Sequence, residues 1–419
     1  MTKRVTDLRQ ASRLPNVLFV VGQLTIGGIE TYVVRMARAY SKAGGKVSIW
    51  VVKRSWDPEL LSLLKDVADV TFISKLTHYP VWMHSPALPP KVDLVFTTGR
   101  LSLLIAAYAC VKAAWPVRLV AGVFSQWEYC SDAANPKSGL ASEILNKIGP
   151  TNTVFCTEGC RSYHQTKLGM DFTVSIVSPL LVDLPTPSTR RRRKQKDPIQ
   201  IVSVSRIVSF KTSNYQMPGV IKQLVERGVD AYWTHYGDGP EEAHVQAKIA
   251  EFNVGSRAKL AGTVPYSKIH KIIEKADLYV GGGTTLIEAA ALGVPSLVAL
   301  DENPTATTPG FFFDRLGHYT SDLAGDEELE DIVDVIHRFS LLDDAELNKY
   351  RHKSLERASK YSVQQSSAEI KMIYEKAKPV LLSRSRYAHL RFIWSNIIEA
   401  LSTIGRKLKL KSAVDERRR

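Results

Sequence analysis

The chain has 419 residues, 44% apolar and 23% charged, which excludes wholesale disorder and exceeds the usual size of one compact core. Its formal charge of +14 is concentrated in two blocks, Arg190 to Lys196 and a tail running from Arg384 to Arg419. Such blocks attract polyanions, anionic lipid or phosphorylated ligands. No recognition motif accompanies them, so nucleic acid is not expected as a partner.

The N-terminal "MTKRVTDLRQASRLPN" is polar and has no apolar signal core. The longest apolar runs, such as "LSLLIAAYACV", are too short to span a bilayer. Cys110, Cys130, Cys156 and Cys160 are scattered, and the last two lack a second pair for zinc. They read as reduced, mostly buried thiols of a cytosolic protein, and no metal site is expected.

In chain order, Val17 to Val21 is a short β-branched run ended by Gly22, as expected of a buried parallel strand. Apolar residues recur at helical spacing from Ile29 to Tyr40, and Gly44-Gly45 closes that helix. "KVSIWVV", "DVTFIS", "VDLVFTT", "VRLVAGVFS", "NTVFCTE" and "TVSIVSP" read as further strands, with "RLSLLIAAYACVKAA" as a helix. "LPTPSTRRRRKQKDP" then reads as a linker.

A second α/β series comes next, with strands "IQIVSVSR", "DAYWTHYGDGP", "AKLAGTV", "DLYVGGG" and "PSLVAL" alternating with helices. "DEELEDIVDVIHRFSLL" and "AELNKYRHKSLERASKY" are helical by periodicity. The reading is two doubly wound Rossmann-like domains facing a cleft. Their bounds are 1–183 and 199–375, with a basic linker at 184–198 and a basic amphipathic tail at 376–419.

Both glycine clusters fall where such sheets bind ligands, at strand carboxyl ends and helix N-termini. Gly27-Gly28 follows the first strand, and Gly281 to Gly283 precedes a helix with one carboxylate, Glu288. Neither a P-loop nor a dinucleotide fingerprint fits the first cluster, because Gly28 and Ile29 replace the P-loop Lys and Ser or Thr. Arg206 and Lys211 follow the first strand of the second series, and a guanidinium beside an ammonium suits a diphosphate.

Taken together, "GGIETYVVRMA", "VSRIVSFK", "HYGDGPEE", "LAGTV" and "TTLIEAAALGVPSLVA" resemble the family 4 retaining glycosyltransferases of the GT-B fold. The resemblance covers about residues 16 to 375. It implies transfer of a sugar from a nucleotide-diphosphate donor to a glycan or glycolipid acceptor in surface polysaccharide biosynthesis. No cofactor or metal is implied. Gly27 and Gly28 resemble the loop that approaches the donor diphosphate and acceptor. Arg206 and Lys211 resemble the basic pair that stabilises the departing nucleotide. Thr263 and Val264 fall where backbone groups meet the base. The backbone N–H groups of Gly283, Thr284, Thr285 and Leu286 resemble the phosphate-holding turn, and Glu288 the ribose-binding carboxylate.

The chain departs from that pattern twice. Val280 stands where many members have a sugar-contacting glutamate, and Ser125-Gln126-Trp127-Glu128 stands where many have a histidine. Glu128 or Gln126 is the candidate for that polar role, with Glu128 counted among the catalytic candidates, against the alternative that it is a solvated loop acid. His78 and His84 are read as incidental loop residues, and Asp238 as shaping its turn.

The segment 390–411 carries a broad apolar face flanked by Arg391, Arg406, Lys407, Lys409 and Lys411. It is expected to lie on an anionic membrane surface, giving a cytoplasmic protein peripheral on the inner face of the membrane. The alternative is a helix packed on the first domain. Two further readings stand beside the transferase: a sugar-nucleotide epimerase of the same fold, and a non-catalytic protein that binds a nucleotide sugar or a partner enzyme.

Overall fold

A computed structural model describes residues 13–73, 87–113, 115–126, 128–130, 139–185, 197–315 and 328–382. The Arg190 to Lys196 run, Trp127, His78, His84 and the 390–411 segment lie outside the described residues. The described residues within 1–156, 160–178 and 366–419 form one compact unit, and those within 157–159 and 179–365 a second. No helix among the described residues is long and apolar enough to cross a membrane.

The first unit is built on a seven-stranded sheet in the order β3-β2-β1-β4-β5-β6-β7. Its strands are β1 Val17–Val21, β2 Val47–Val51, β3 Asp69–Phe72, β4 Leu94–Thr97, β5 Arg118–Val123, β6 Thr153–Phe155 and β7 Ile176–Val177. Every pairing is parallel. All five side chains of β1 are buried, as helices on both faces of a parallel sheet demand. The strand order reverses at β1, which pairs with β2 on one side and β4 on the other. Ligand crevices of open α/β sheets lie at such switch points, outside the carboxyl ends of the strands.

The second unit has a five-stranded parallel sheet in the order β10-β9-β8-β11-β12. Here β8 is Ile199–Val204, β9 Ala231–Tyr236, β10 Ala258–Leu260, β11 Leu278–Gly281 and β12 Ser296–Val298. Its switch point lies between β8 and β11. Trp233, 1% exposed, fills the centre of the core with Ile201, Ile221, Leu278 and Val280. Its indole Nε1 donates to Ser203 Oγ at 3.0 Å, and that hydroxyl donates to the Val280 carbonyl at 2.8 Å. This polar chain ties three strands together without leaving the buried indole N–H unsatisfied.

The sequence reading carries the second domain to 375, whereas the helix Ser366–Lys376 belongs to the first unit and packs on the helix Gly28–Lys42. Asn152, fully buried, fastens the chain just beyond that helix. Its Nδ2 donates to the Leu119 and Lys378 carbonyls, and its Oδ1 accepts from Lys378 N–H, all at 2.9 Å. Helical periodicity reports a buried face but not which sheet buries it. In "DEELEDIVDVIHRFSLL" the helix starts only at Ile332, where Asp331 caps it by accepting from Val333 N–H. Glu330–Asp331 instead pairs antiparallel with Thr307–Thr308.

Two buried histidines make the fold acid-sensitive. Burial is the main cause that lowers the pKa of His164 in the first unit and of His235 in the second to about 4. A depressed folded pKa means that the unfolded chain takes up the proton first. The stabilisation they confer is therefore complete above their ordinary value of 6.5 and is lost as pH falls from there to about 4. Stability is expected to fall across that window by up to about 3 kcal/mol per histidine, and the melting temperature with it. Scans of His164→Asn and His235→Gln beside wild type check this: each variant should show a shallower drop, and an unchanged slope would contradict the assignment.

Candidate functional site

At the second unit's switch point, four strand ends present their loops along one edge of the sheet. The loop after β8 carries Arg206, which is exposed, and Lys211, which is half-buried. Removal of the Lys211 ammonium from water is the main cause that lowers its pKa; Asp301 opposes the shift and Arg206 adds to it. The loop is anchored from below: His235 on β9, neutral in its buried site, donates through Nε2 to the Ser205 carbonyl at 3.0 Å. It is anchored from the side as well, where Ile207 N–H donates to the Asp238 carbonyl at 2.7 Å. Asp238 thus contributes its backbone to the turn. From beyond β12, Glu302 N–H donates to the Phe210 carbonyl at 2.6 Å.

The β9 and β10 ends are pinned together, with Gly237 N–H donating to the Gly262 carbonyl at 2.9 Å. Thr263, exposed, and Val264, half-buried, leave that junction side by side. Beyond β11, Gly283 caps the helix Thr284–Ala291 with φ at 72°, a left-handed value natural to glycine. Gly281 has its own reason to lack a side chain, because a Cβ there would stand 2.8 Å from the Tyr279 ring.

The N-terminus of this helix is locked to β8. The Tyr279 and Thr285 hydroxyls lie 2.6 Å apart, and each approaches the Val204 carbonyl, at 3.2 and 3.3 Å. Leu286 N–H donates to the Gly283 carbonyl at 3.2 Å, closing the first turn. Thr284 is buried. The Arg206 loop and the Gly283 turn therefore start from two adjacent strands held in fixed register, the geometry that gives an anion both backbone N–H groups and side-chain cations.

One turn into the helix, Glu288 is buried, and His270 Nε2 lies 3.3 Å from its Oε2. His270 comes from the short helix Ile269–Ile273, and the sequence reading gave it no role. No spacing signal links the two residues, because the chain crosses β11 between them. Val280, where the family pattern has a glutamate, is 1% exposed and points into the core.

The first unit has its own cavity, about 230 Å³, at its switch point. Gly22 and Gln23 line it after β1, Lys53 after β2, and Thr98 to Ser102 after β4, with Glu30 and Glu128 beside them. Gly27 precedes the helix that opens at Gly28; its backbone is extended, and a Cβ there would meet the Glu30 carboxylate at 2.4 Å. Glu128 is no solvated loop acid. Its Oε1 accepts from Arg100 N–H at 3.2 Å, capping the helix Arg100–Ala113 where the helix dipole favours a negative charge. Lys53, half-buried in this wall, escaped the sequence reading because the end of a strand gives no hint of which side chain turns inward.

Residues 187–306 match the family model described as glycosyl transferases group 1. Over 113 residues the chain is 30% identical to the phosphatidylinositol N-acetylglucosaminyltransferase GPI3 subunit of Saccharomyces cerevisiae, covering 26% of this chain and 25% of that protein. Over 146 residues it is 25% identical to WcaL of Escherichia coli, a glycosyltransferase named for colanic acid biosynthesis, covering 32% of this chain and 36% of that one. The chain thus spans about a quarter to a third of the length of these curated relatives. Its fold is similar to that of HepE from Anabaena in complex with UDP-glucose, with a TM-score of 0.60 at 15% identity, over 85% of this chain and 98% of the other. The two parallel α/β sheets are those of the GT-B glycosyltransferase fold.

Proposed function

We propose that this chain is a retaining glycosyltransferase of family 4 type. It takes a nucleotide-diphosphate sugar on its second unit and an acceptor glycan or lipid-linked glycan on its first. The observation that carries this reading is the pairing of Arg206 and Lys211 with the Gly283 turn across adjacent strands β8 and β11. The group 1 match covers that region, and the HepE relative holds a UDP-sugar. Glu288 is the ribose acceptor of hydrogen bonds, and Thr263 and Val264 face the base.

In this reading, the bond between the anomeric carbon and the β-phosphate oxygen breaks, and its electron pair leaves with the diphosphate. Arg206, Lys211 and the N–H groups of Thr284 and Thr285 stabilise that charge as it develops, the kind of preorganised electrostatic assistance that dominates such catalysis. The acceptor hydroxyl forms the new bond on the same face of the sugar, and its proton passes to a departing phosphate oxygen. The chain's own residues supply charge stabilisation and need no metal. Glu30 and Glu128, which line the first unit's cavity, suit hydroxyl groups of the acceptor. A role in surface polysaccharide assembly at the cytoplasmic membrane face rests on the WcaL relative and on the basic composition of the tail.

A thermal-shift screen against UDP-, GDP- and ADP-sugars tests the donor site. Ligand at about one hundred times its dissociation constant stabilises by about 2.7 kcal/mol. One nucleotide class is expected to raise the melting temperature of wild type and to leave Arg206→Ala unmoved. Equal shifts in both proteins would remove Arg206 from the site.

A further inference from the structure

We propose that the folded first unit carries a lipid-docking face of its own: an apolar lip of Trp115 and Leu381, ringed by lysines, that seats on an anionic bilayer. Trp115 is 48% exposed and Leu381 57% exposed. Single apolar side chains on a surface need no explanation, but these two are brought together from distant parts of the chain. Val117 N–H donates to the Val380 carbonyl at 3.2 Å, and Val380 N–H donates to that of Val117 at 2.8 Å, an antiparallel bridge just before β5. Arg118 Nε donates to the Ala377 carbonyl at 3.2 Å, and its guanidinium lies 4.2 Å from the centre of the Tyr374 ring. Asn152 holds Lys378 from the other side. The backbone that presents Trp115 and Leu381 to water is therefore fixed to the sheet.

Charge identifies what the lip meets. Helices that link parallel strands run back against them, so their C-termini gather at the edge where the strands begin. The helices Arg100–Ala113, Leu140–Ile148 and Ser366–Lys376 end at this edge with Lys112, Lys147 and Lys376 in their last turns, and Lys378 follows. All four lysines are exposed. The acids of these helices do not cancel them: Glu143 and Glu369 stand in first turns, at the far ends, and Glu375 lies 3.8 Å from Lys371. The helix dipole accounts for each lysine singly. It does not account for a tryptophan and a leucine held out among them, a combination suited to the headgroup level of a bilayer.

The chain's own continuation is the competing occupant. From Arg384 to Arg419 it carries ten Lys or Arg against Glu399, Asp415 and Glu416. A tail of that sign is repelled by the lysine ring, whereas an anionic surface attracts both. The cavity of about 230 Å³ lies at the opposite edge of the sheet, where the strands end, so a bilayer seated on the lip leaves it open.

Co-sedimentation of the full chain with vesicles tests this. Wild type is expected to bind vesicles of phosphatidylcholine mixed with phosphatidylglycerol, and to stay in solution with phosphatidylcholine alone or at high salt, which screens the lysines. Trp115→Ala combined with Leu381→Ala should weaken binding about tenfold. Lys112→Gln combined with Lys378→Gln should weaken it about fivefold per charge removed. The four side chains are exposed, so both variants should melt with wild type. A third variant, with Arg406→Gln, Lys407→Gln, Lys409→Gln and Lys411→Gln, separates the face from the tail; it should stay sensitive to Trp115→Ala. Binding lost in the tail variant but unchanged in both face variants overturns the proposal and leaves the tail as sole anchor. Tighter vesicle binding by the Trp115→Ala and Leu381→Ala variant would mean that the lip holds the chain's own tail, and overturns it too. So does a wild type that ignores the anionic vesicles.

Discussion

Replacing Lys211 by Met is expected to lower the rate of sugar transfer about 10²–10³-fold, the cost of removing one preorganised charge-stabilising group, while leaving the unliganded protein at least as stable as wild type. The two halves of this expectation share one cause. The ammonium is held partly out of water, and this loss of hydration lowers its pKa more than Asp301 raises it, with Arg206 adding to the decrease. Its folded pKa lies below its ordinary value of 10.5. Unfolding therefore takes up a proton between those two values, and stability rises with pH through that window; below it the full cost of the buried charge is present. A departing diphosphate supplies the countercharge that offsets this cost. Steady-state transfer assays and melting curves on the same preparation check both halves. Met keeps the apolar stem and removes the charge. A variant that loses activity and also several degrees of stability would show that Lys211 holds its loop together instead.

Gly237→Ala and Gly239→Ala should each destabilise the second unit by about 2–4 kcal/mol and abolish nucleotide binding. A Cβ at Gly237 would stand 2.0 Å from the Ser205 carbonyl oxygen, and one at Gly239 would stand 2.0 Å from that of Ile207. Both obstacles are backbone, so no rotamer relieves them. Gly237 also has φ at 131°, a conformation that side chains rarely adopt. The displaced segment is residues 205–207, which carries Arg206 and which His235 and Asp238 hold from two sides. Urea melts give the stability, and calorimetry gives the binding of UDP, GDP and ADP. Alanine at Gly228 is the control for positive φ alone, since its φ is 78° and a Cβ there would meet nothing within 4 Å. If Gly237→Ala behaved no worse than Gly228→Ala, the loop would be free to move and the fixed register argued for Arg206 would be wrong.

Much of this architecture is legible in the sequence because it rests on local, periodic signals. The buried runs of β1, β8 and β11 and the glycines behind them mark strand, turn and helix in an order that few folds share. The same signals put Arg206, Lys211 and Gly283 in the loops after strand ends and Glu288 in the helix that follows. What stayed hidden depends on contacts between distant parts of the chain. The Ser366–Lys376 helix shows a buried face, but only packing on the Gly28–Lys42 helix assigns it to the first unit. Glu128 reads in sequence as either a polar site candidate or a solvated loop acid, and only the Arg100 N–H that donates to it removes the second reading. His270 lies eighteen residues before Glu288 with a strand between them, a separation that no motif encodes. The family's first glutamate position illustrates the reverse: Val280 looks like a lost contact in sequence, yet in space it is core.

A crystal structure with the nucleotide diphosphate that most raises the melting temperature tests the central claim most directly. The account predicts the diphosphate at the Gly283 turn, within reach of Arg206 and Lys211, and the ribose hydroxyls on Glu288. Nucleotide bound away from that edge of the β8–β11 sheet, with Arg206 and Lys211 untouched, would contradict it.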